Sequence, residues 1–258
     1  MKIVIITGDD LRHTAFVQYI CNIITPSLII REPKGSMKGI KSQKIHQYLK
    51  DFAIGEKLYF KENQSRNEGS VRTEPGQVNK KKYVQLIEKA NPDLILVFGA
   101  SLLEDQIIGI PSIASLNIHT GITQLFRGVD SAFWAIHDAK PEGIGATVHK
   151  IDSSIDAGGI LLQGRPNICI DDSIHDLFFK SVIVGFDIMK NALNKILRSK
   201  NLDLHNLKAR GRLYQLRNFD EKSLIKAEQK RSIVLKEYLN NKINRDSLVP
   251  IVSNNVDY

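Results

Sequence analysis

At 258 residues, 42% hydrophobic and 25% charged, the chain has the composition of a soluble globular protein, with room for one large α/β domain and a small appendage. No apolar run approaches the ~20 residues of a membrane span; the apolar opening from Met1 to Thr7 is short and runs into Asp9-Asp10, so it reads as a buried first strand, not a leader. The net charge of +8 is uneven: Lys190 to Arg245 hold fifteen Lys/Arg against five Asp/Glu, which reads as a solvated helical face, so nucleic acid is not the expected partner. Cys21 and Cys169 are far apart in largely apolar surroundings and are expected as reduced core thiols of a cytoplasmic protein.

In chain order, a strand over 2–7, a turn at Gly8-Asp9-Asp10, a helix over 11–24 and a strand over 27–30 make a βαβ unit. The loop Gly8-Asp9-Asp10-Leu11-Arg12-His13 is not GxGxxG, and its Asp pair repels phosphate, which excludes a dinucleotide fingerprint. Residues 32–78 are polar, with one helix expected over 39–52 and a polar loop over 61–77, an excursion that is either mobile or covers a site. A helix over 79–90 leads into Asp93-Leu94-Ile95-Leu96-Val97-Phe98-Gly99, apolar on both faces as a central parallel strand is. A short helix (101–107), a strand (113–118), a loop (120–128) and a helix carrying Phe133, Trp134 and Ile136 follow. Strands over 144–151 and 160–168 flank Asp156, and Asp171-Asp172-Ser173 caps a helix over 173–197. Past Lys200 the pattern predicts a hairpin (211–218), an amphipathic helix (221–239) and a frayed end (246–258). The expected boundaries are a domain over 1–200 and an α+β extension over 201–258. The fold class is α/β: a Rossmann-like, mostly parallel sheet with helices on both faces.

Ligands of open α/β sheets bind beyond the carboxyl ends of the strands. Asn117 and His119 stand at one such end, Phe98-Gly99-Ala100-Ser101 and Gly8–His13 at two others, and Asp156 on the loop between the last two strands. An amide, an imidazole and a carboxylate suit attack of an amine on an acyl carbon. The amide steadies the oxyanion, the imidazole moves protons near neutrality, and the carboxylate orients the imidazole and helps take the proton the amine loses. Direct transfer needs no serine or cysteine nucleophile, and no GxSxG elbow is present. A zinc set drawn from His119, His137, His149 and His175 lacks ligand spacing, and His149 alternates along its strand as a packed residue does, so no metal is expected.

Leu116-Asn117-Ile118-His119-Thr120-Gly121, then Phe126-Arg127-Gly128, Gly145-Ala146-Thr147-Val148-His149-Lys150-Ile151-Asp152 and Ile155-Asp156-Ala157-Gly158-Gly159-Ile160-Leu161 resemble the folate-dependent formyltransferase family over residues 1–200. The resemblance implies Asn117, His119 and Asp156 as the catalytic set and N10-formyltetrahydrofolate as donor, without a metal. It places the pterin against Phe98, Gly99, Ala100, Ser101, Leu102 and Leu103 and against Ile151, Asp152 and Ser153. Main-chain donors and acceptors suit the edge of a pterin. Arg12, Thr120, Arg127, Gly128 and Trp134 are the expected acceptor contacts; Arg127 suits a pyrophosphate, while Trp134, on a helix, suits either a stacking surface or the core.

The chain departs from the family's usual His-Pro at His119-Thr120 and from its Leu-Pro at Leu125-Phe126, and its acidic first loop disfavours a ribonucleotide phosphate. The resemblance is greatest to the nucleotide-sugar N-formyltransferases, which implies a nucleotide-linked amino sugar as acceptor, a role in cell-surface polysaccharide synthesis and a homodimer. The alternatives are a methionyl-tRNA formyltransferase and a non-catalytic folate or nucleotide binder of the same fold.

Overall fold

The computed structural model describes residues 1–35, 42–60, 69–152, 155–206 and 211–253. Five parallel strands run β3-β2-β1-β4-β5: β1 Ile3–Thr7, β2 Leu28–Arg31, β3 Val71–Arg72, β4 Leu94–Phe98 and β5 Ala114–His119. Two antiparallel strands, β7 Ala146–Lys150 and β8 Ile160–Gly164, extend the sheet past β5 to seven strands. β1 and β4 are buried along their whole length, as strands covered on both faces must be. Helices α1 Leu11–Cys21 and α6 Ile174–Ser199 pack into one apolar cluster with Phe16, Phe98, Phe179 and Phe186. On the other side α3 Lys81–Ala90 contributes Val84 and Ile87 to a smaller one. This is the mostly parallel α/β architecture expected. Among the described residues, no helix is long and apolar enough to cross a membrane.

Several expectations are corrected. The helix expected over 39–52 is α2 Gln43–Phe60, which continues through Gly55. That glycine lets α2 lie against α6; a Cβ there would stand 2.8 Å from the Phe179 ring. The helix expected over 101–107 shrinks to α4 Asp105–Ile108, because the main chain before it is engaged elsewhere. The Ser101 and Glu104 amides donate to Glu32 and Asn79, and Asn79 donates to the Leu102 carbonyl. Both cysteines are exposed and free, not core thiols: Cys21 is the last residue of α1 and Cys169 lies in the turn closed by Asp172.

The hairpin expected over 211–218 does not form. Instead β9 Arg212–Tyr214 pairs in parallel with β6 Phe126–Gly128 as a separate two-stranded ribbon. Gly211 permits this, since a Cβ there would run into the Leu125–Phe126 backbone. Helix α5 Ser131–His137 and helix α7 Glu221–Asn240 share a second core with Phe126 and Tyr214. After α8 Lys242–Ser247 the chain is pinned, not frayed, as far as it is described: Val249, Pro250 and Val252 carbonyls accept from Arg165, Gln124 and the Gln163 amide.

Candidate active site

β5 ends by pointing Asn117 and His119 out of the sheet, and its neighbour β7 sets His149 opposite Asn117. Because β7 runs antiparallel, the loop bearing Asp156 leaves it beside Ser115, where the Ile151 amide is tied to the Ser115 carbonyl. The loop folds back, and Asp156 adopts a left-handed conformation (φ 47°) that carries its carboxylate to both histidines. Asp156 Oδ2 is 3.3 Å from His119 Nδ1, and Oδ1 is 3.4 Å from His149 Nε2. The Gly128 amide donates to Oδ2 at 2.9 Å. The three residues expected from the sequence therefore meet, with His149 as a fourth.

The partners of each nitrogen fix what these groups can do. His149 Nδ1 lies 3.0 Å from the Lys150 carbonyl, which can only accept, so Nδ1 carries a proton. Nε2 lies 3.1 Å from the Asn117 side-chain amide and 3.4 Å from Asp156 Oδ1: without a proton it accepts from the amide, and with one it donates to the carboxylate. One Asn117 N–H is held by His149 when Nε2 is unprotonated; the other donates a long 3.5 Å bond to Asp156 Oδ1 that a developing oxyanion can replace. His149 orients the Asn117 amide. Strand alternation had marked it as a packed residue; only the β5–β7 register reveals the partnership.

His119 is 5% exposed, with Nε2 3.1 Å from both the Phe126 carbonyl and the Ser131 hydroxyl. Burial lowers its affinity for a proton and outweighs the opposing pull of Asp156, so the ring's proton affinity lies below that of a free imidazole. Burial acts to raise the Asp156 carboxyl, but His119, His149 and the Gly128 amide outweigh it and hold the group well below the usual carboxylate range. The carboxylate is therefore ionised at any pH at which the protein would work.

The expected donor residues separate into core and surface. Phe98 turns its ring into the main core against Phe16 and Phe186, and its carbonyl accepts from Gly8 and Thr7. Gly99 is exposed in a left-handed conformation (φ 70°) beside it, and Ser101 and Asp152 are also exposed. Ala100, Leu103 and Ile151 each pack against the same apolar cluster, and Leu102 is 69% exposed nearby in the chain. β4 pairs Val97 with Asn117, so this loop begins one strand away from the catalytic amide. Ser153 lies outside the described residues.

The expected acceptor residues divide likewise. Arg127 braces the site, with Nε donating to the Gly211 carbonyl and a terminal nitrogen to that of Ile155. Gly128 takes φ 88° against the Tyr214 carbonyl, where a Cβ would collide. Thr120 follows β5 and is partly exposed. Arg12 is 3% exposed, with its guanidinium on Glu56 and Asp10 and over the Phe52 ring. Trp134 is 3% exposed and stacks on Tyr214 at 3.9 Å, so its ring belongs to the second core and not to the Asn117 cluster.

The family model described as formyl transferase matches residues 39–190, and the chain belongs to that family. Methionyl-tRNA formyltransferase of Kosmotoga olearia is 29% identical over 133 residues, 51% of this chain and 42% of that protein. The curated relatives first matched by sequence are aligned over less than half of their own length. Among solved structures, a sugar N-formyltransferase from Shewanella sp. FDAARGOS_354 superposes with a TM-score of 0.59 at 16% identity, covering 88% of this chain and 87% of that one. An N-formyltransferase from Helicobacter canadensis, in complex with folinic acid and dTDP-3-aminofucose, gives 0.57 at 17% identity over 92% and 82%. These superpositions establish a shared fold.

Proposed function

We propose that the chain transfers a formyl group from N10-formyltetrahydrofolate to the amine of a nucleotide-linked amino sugar. The observation that carries this reading is the cluster of Asn117, His119 and Asp156, backed by His149, at the end of β5. A folate or nucleotide binder has no need of an amide, an imidazole and an ionised carboxylate converging within hydrogen-bond range. The sugar N-formyltransferases among the structural neighbours support the choice of acceptor.

The residues present fit the donor: Ala100, Leu103 and Ile151 are partly buried against the apolar cluster that holds Val97, the strand neighbour of Asn117, and Gly99 is exposed beside Ala100. When bound, the folate supplies the formyl carbon and leaves as tetrahydrofolate. The chain's own groups do the rest. Asn117 donates to the oxyanion that forms as the neutral amine adds, and protonated His119 stabilises it by its charge, its two N–H groups being engaged by Asp156 and by Phe126 and Ser131. Asp156 favours the charged form of His119 against the burial that disfavours it, and assists removal of the amine proton. Gly128 and Arg127 hold the Asp156 loop in place.

The cytoplasm and a place in cell-surface polysaccharide synthesis belong to the same proposal. So does a homodimer built on the C-terminal segment, where Ile233, Ile243 and Leu248 are 61%, 85% and 80% exposed. The sequence similarity to methionyl-tRNA formyltransferase and the basic C-terminal segment favour a second reading, with RNA as acceptor. A thermal-shift panel separates them. Nucleotide-linked amino sugars should raise the melting temperature and initiator methionyl-tRNA should not, because a ligand that binds only the folded state stabilises it by mass action. Stabilisation by the RNA alone would replace the first reading with the second.

A further inference from the structure

Ser131 opens α5 and is 1% exposed, with its hydroxyl 3.1 Å from His119 Nε2. Asp156 stands on the opposite nitrogen, Nδ1. The three side chains thus have the connectivity of a serine–histidine–aspartate relay, in which the serine would be a nucleophile. The Phe126 carbonyl, also 3.1 Å from Nε2, argues against that role. A carbonyl oxygen accepts and never donates, so it favours the charged ring, in which Nε2 carries a proton and cannot take the serine's.

The two charge states of the ring make different demands on the same atoms. In the imidazolium, Nδ1–H donates to Asp156, and Nε2–H donates to Phe126 and Ser131. In the neutral ring, the proton stays on Nδ1, because the Asp156 carboxylate accepts it. Nε2 then carries a lone pair that faces the Phe126 oxygen and needs a donor. The Ser131 hydroxyl is the one group on that nitrogen able to reverse its role. A buried nitrogen left without a partner costs free energy, so the neutral ring depends on that hydroxyl more than the charged ring does.

We propose that Ser131 is a positioning residue whose hydroxyl donates to neutral His119 and accepts from the imidazolium, letting a closed-in ring change charge without losing a hydrogen bond. The charged and titratable groups around the ring are Asp156 from the loop after β7, His149 from β7, Arg127 from β6 and Asp130, which precedes Ser131. None of them occupies the Nε2 position. The catalytic meaning rests on the formyl-transfer reading; the titration of His119 does not.

The test is an NMR pH titration of the seven histidines in the full chain, labelled with 15N at the ring. His119→Asn assigns the His119 signal, and melting temperatures confirm folding. Ser131→Ala removes the donor that serves the neutral ring, so the His119 midpoint should rise by ~0.5–1 pH unit. Ser131→Cys, close in size and a weaker donor, should shift it less in the same direction, and it keeps the test alive if the alanine variant fails to fold. If the protein transfers formyl groups, the alkaline limb of its rate profile should move up with the midpoint. An unchanged or lowered midpoint in the folded variants would overturn the proposal. So would a mass increment for one formyl group on the wild-type chain with donor alone that is absent from Ser131→Ala, because Ser131 would then be a nucleophile.

Discussion

Two histidines each have an aspartate close by, and they differ in what surrounds them. His13 lies in the first turn of α1, where Asp10 Oδ2 is 3.6 Å from its Nδ1. That carboxylate is already held by Arg12 at 2.7 Å, and Nδ1 instead accepts from the Asp10 backbone amide. Burial and the Arg12 charge push the ring's proton affinity well down, so it stays neutral, wedged between Gly8 and Gly99. His119 ends β5 with its carboxylate on Nδ1 and the Phe126 and Ser131 oxygens on Nε2, a set that favours a second proton against the burial that disfavours it. The first histidine is scaffold, and the second is the one to which we assign chemistry. Which atom faces each nitrogen separates them, since proximity to an aspartate is common to both.

The largest effects should come from breaking the second arrangement. Asp156→Asn or Asn117→Ala should lower turnover by ~10²–10⁴-fold while the melting temperature moves little, as steady-state assays and thermal melts would show. Gly128→Ala attacks the same site through the backbone. At φ 88° and against the Tyr214 carbonyl, a methyl group should cost ~3 kcal/mol in chemical denaturation and release the Asp156 loop.

Breaking the first arrangement should give the complementary result. His13→Ala should lose ~2–4 kcal/mol by opening a cavity between two strand-end loops, yet leave the shape of the pH–rate profile unchanged. A shifted profile would make His13 a participant and erase the contrast.

Asp130 sharpens the comparison with the smallest effect. Where Asp156 is held down by two rings and an amide, Asp130 is pushed up to about 6 by burial, with Tyr48 3.4 Å away. The folded chain therefore holds this proton more tightly than the unfolded chain does. The stabilisation is full below about pH 4 and is lost as pH rises through about 6. Asp130→Asn keeps a residue that tolerates the left-handed φ of 51° and removes the buried charge. It should stabilise the protein by ~1–3 kcal/mol at pH 7.5, with the gain fading near pH 4, as denaturation at the two pH values would reveal.

Much of this was legible in the sequence. The buried runs of β1 and β4, the Asp156 loop between two strands and the order of Asn117, His119 and Asp156 all follow from local pattern. What escaped depends on contacts distant in sequence. The β6–β9 ribbon joins residues some 86 positions apart, and neither three-residue strand has a period long enough to announce itself. His149 looked like core because a strand residue that alternates inward looks the same whether it meets leucine or asparagine. Trp134 and Arg12 had the right chemistry for a ligand, but Tyr214 and Glu56, which occupy them, lie 80 and 44 residues away.

The account stands or falls on whether the Asn117–His119–Asp156 cluster moves a formyl group to an amine. The direct measurement is the rate of tetrahydrofolate formation from N10-formyltetrahydrofolate, with and without a nucleotide-linked amino sugar, for the wild type and Asp156→Asn. Formation that requires the amine and is lost in Asp156→Asn is the predicted result. Amine-independent formation, or an Asp156→Asn rate equal to that of the wild type, would contradict it.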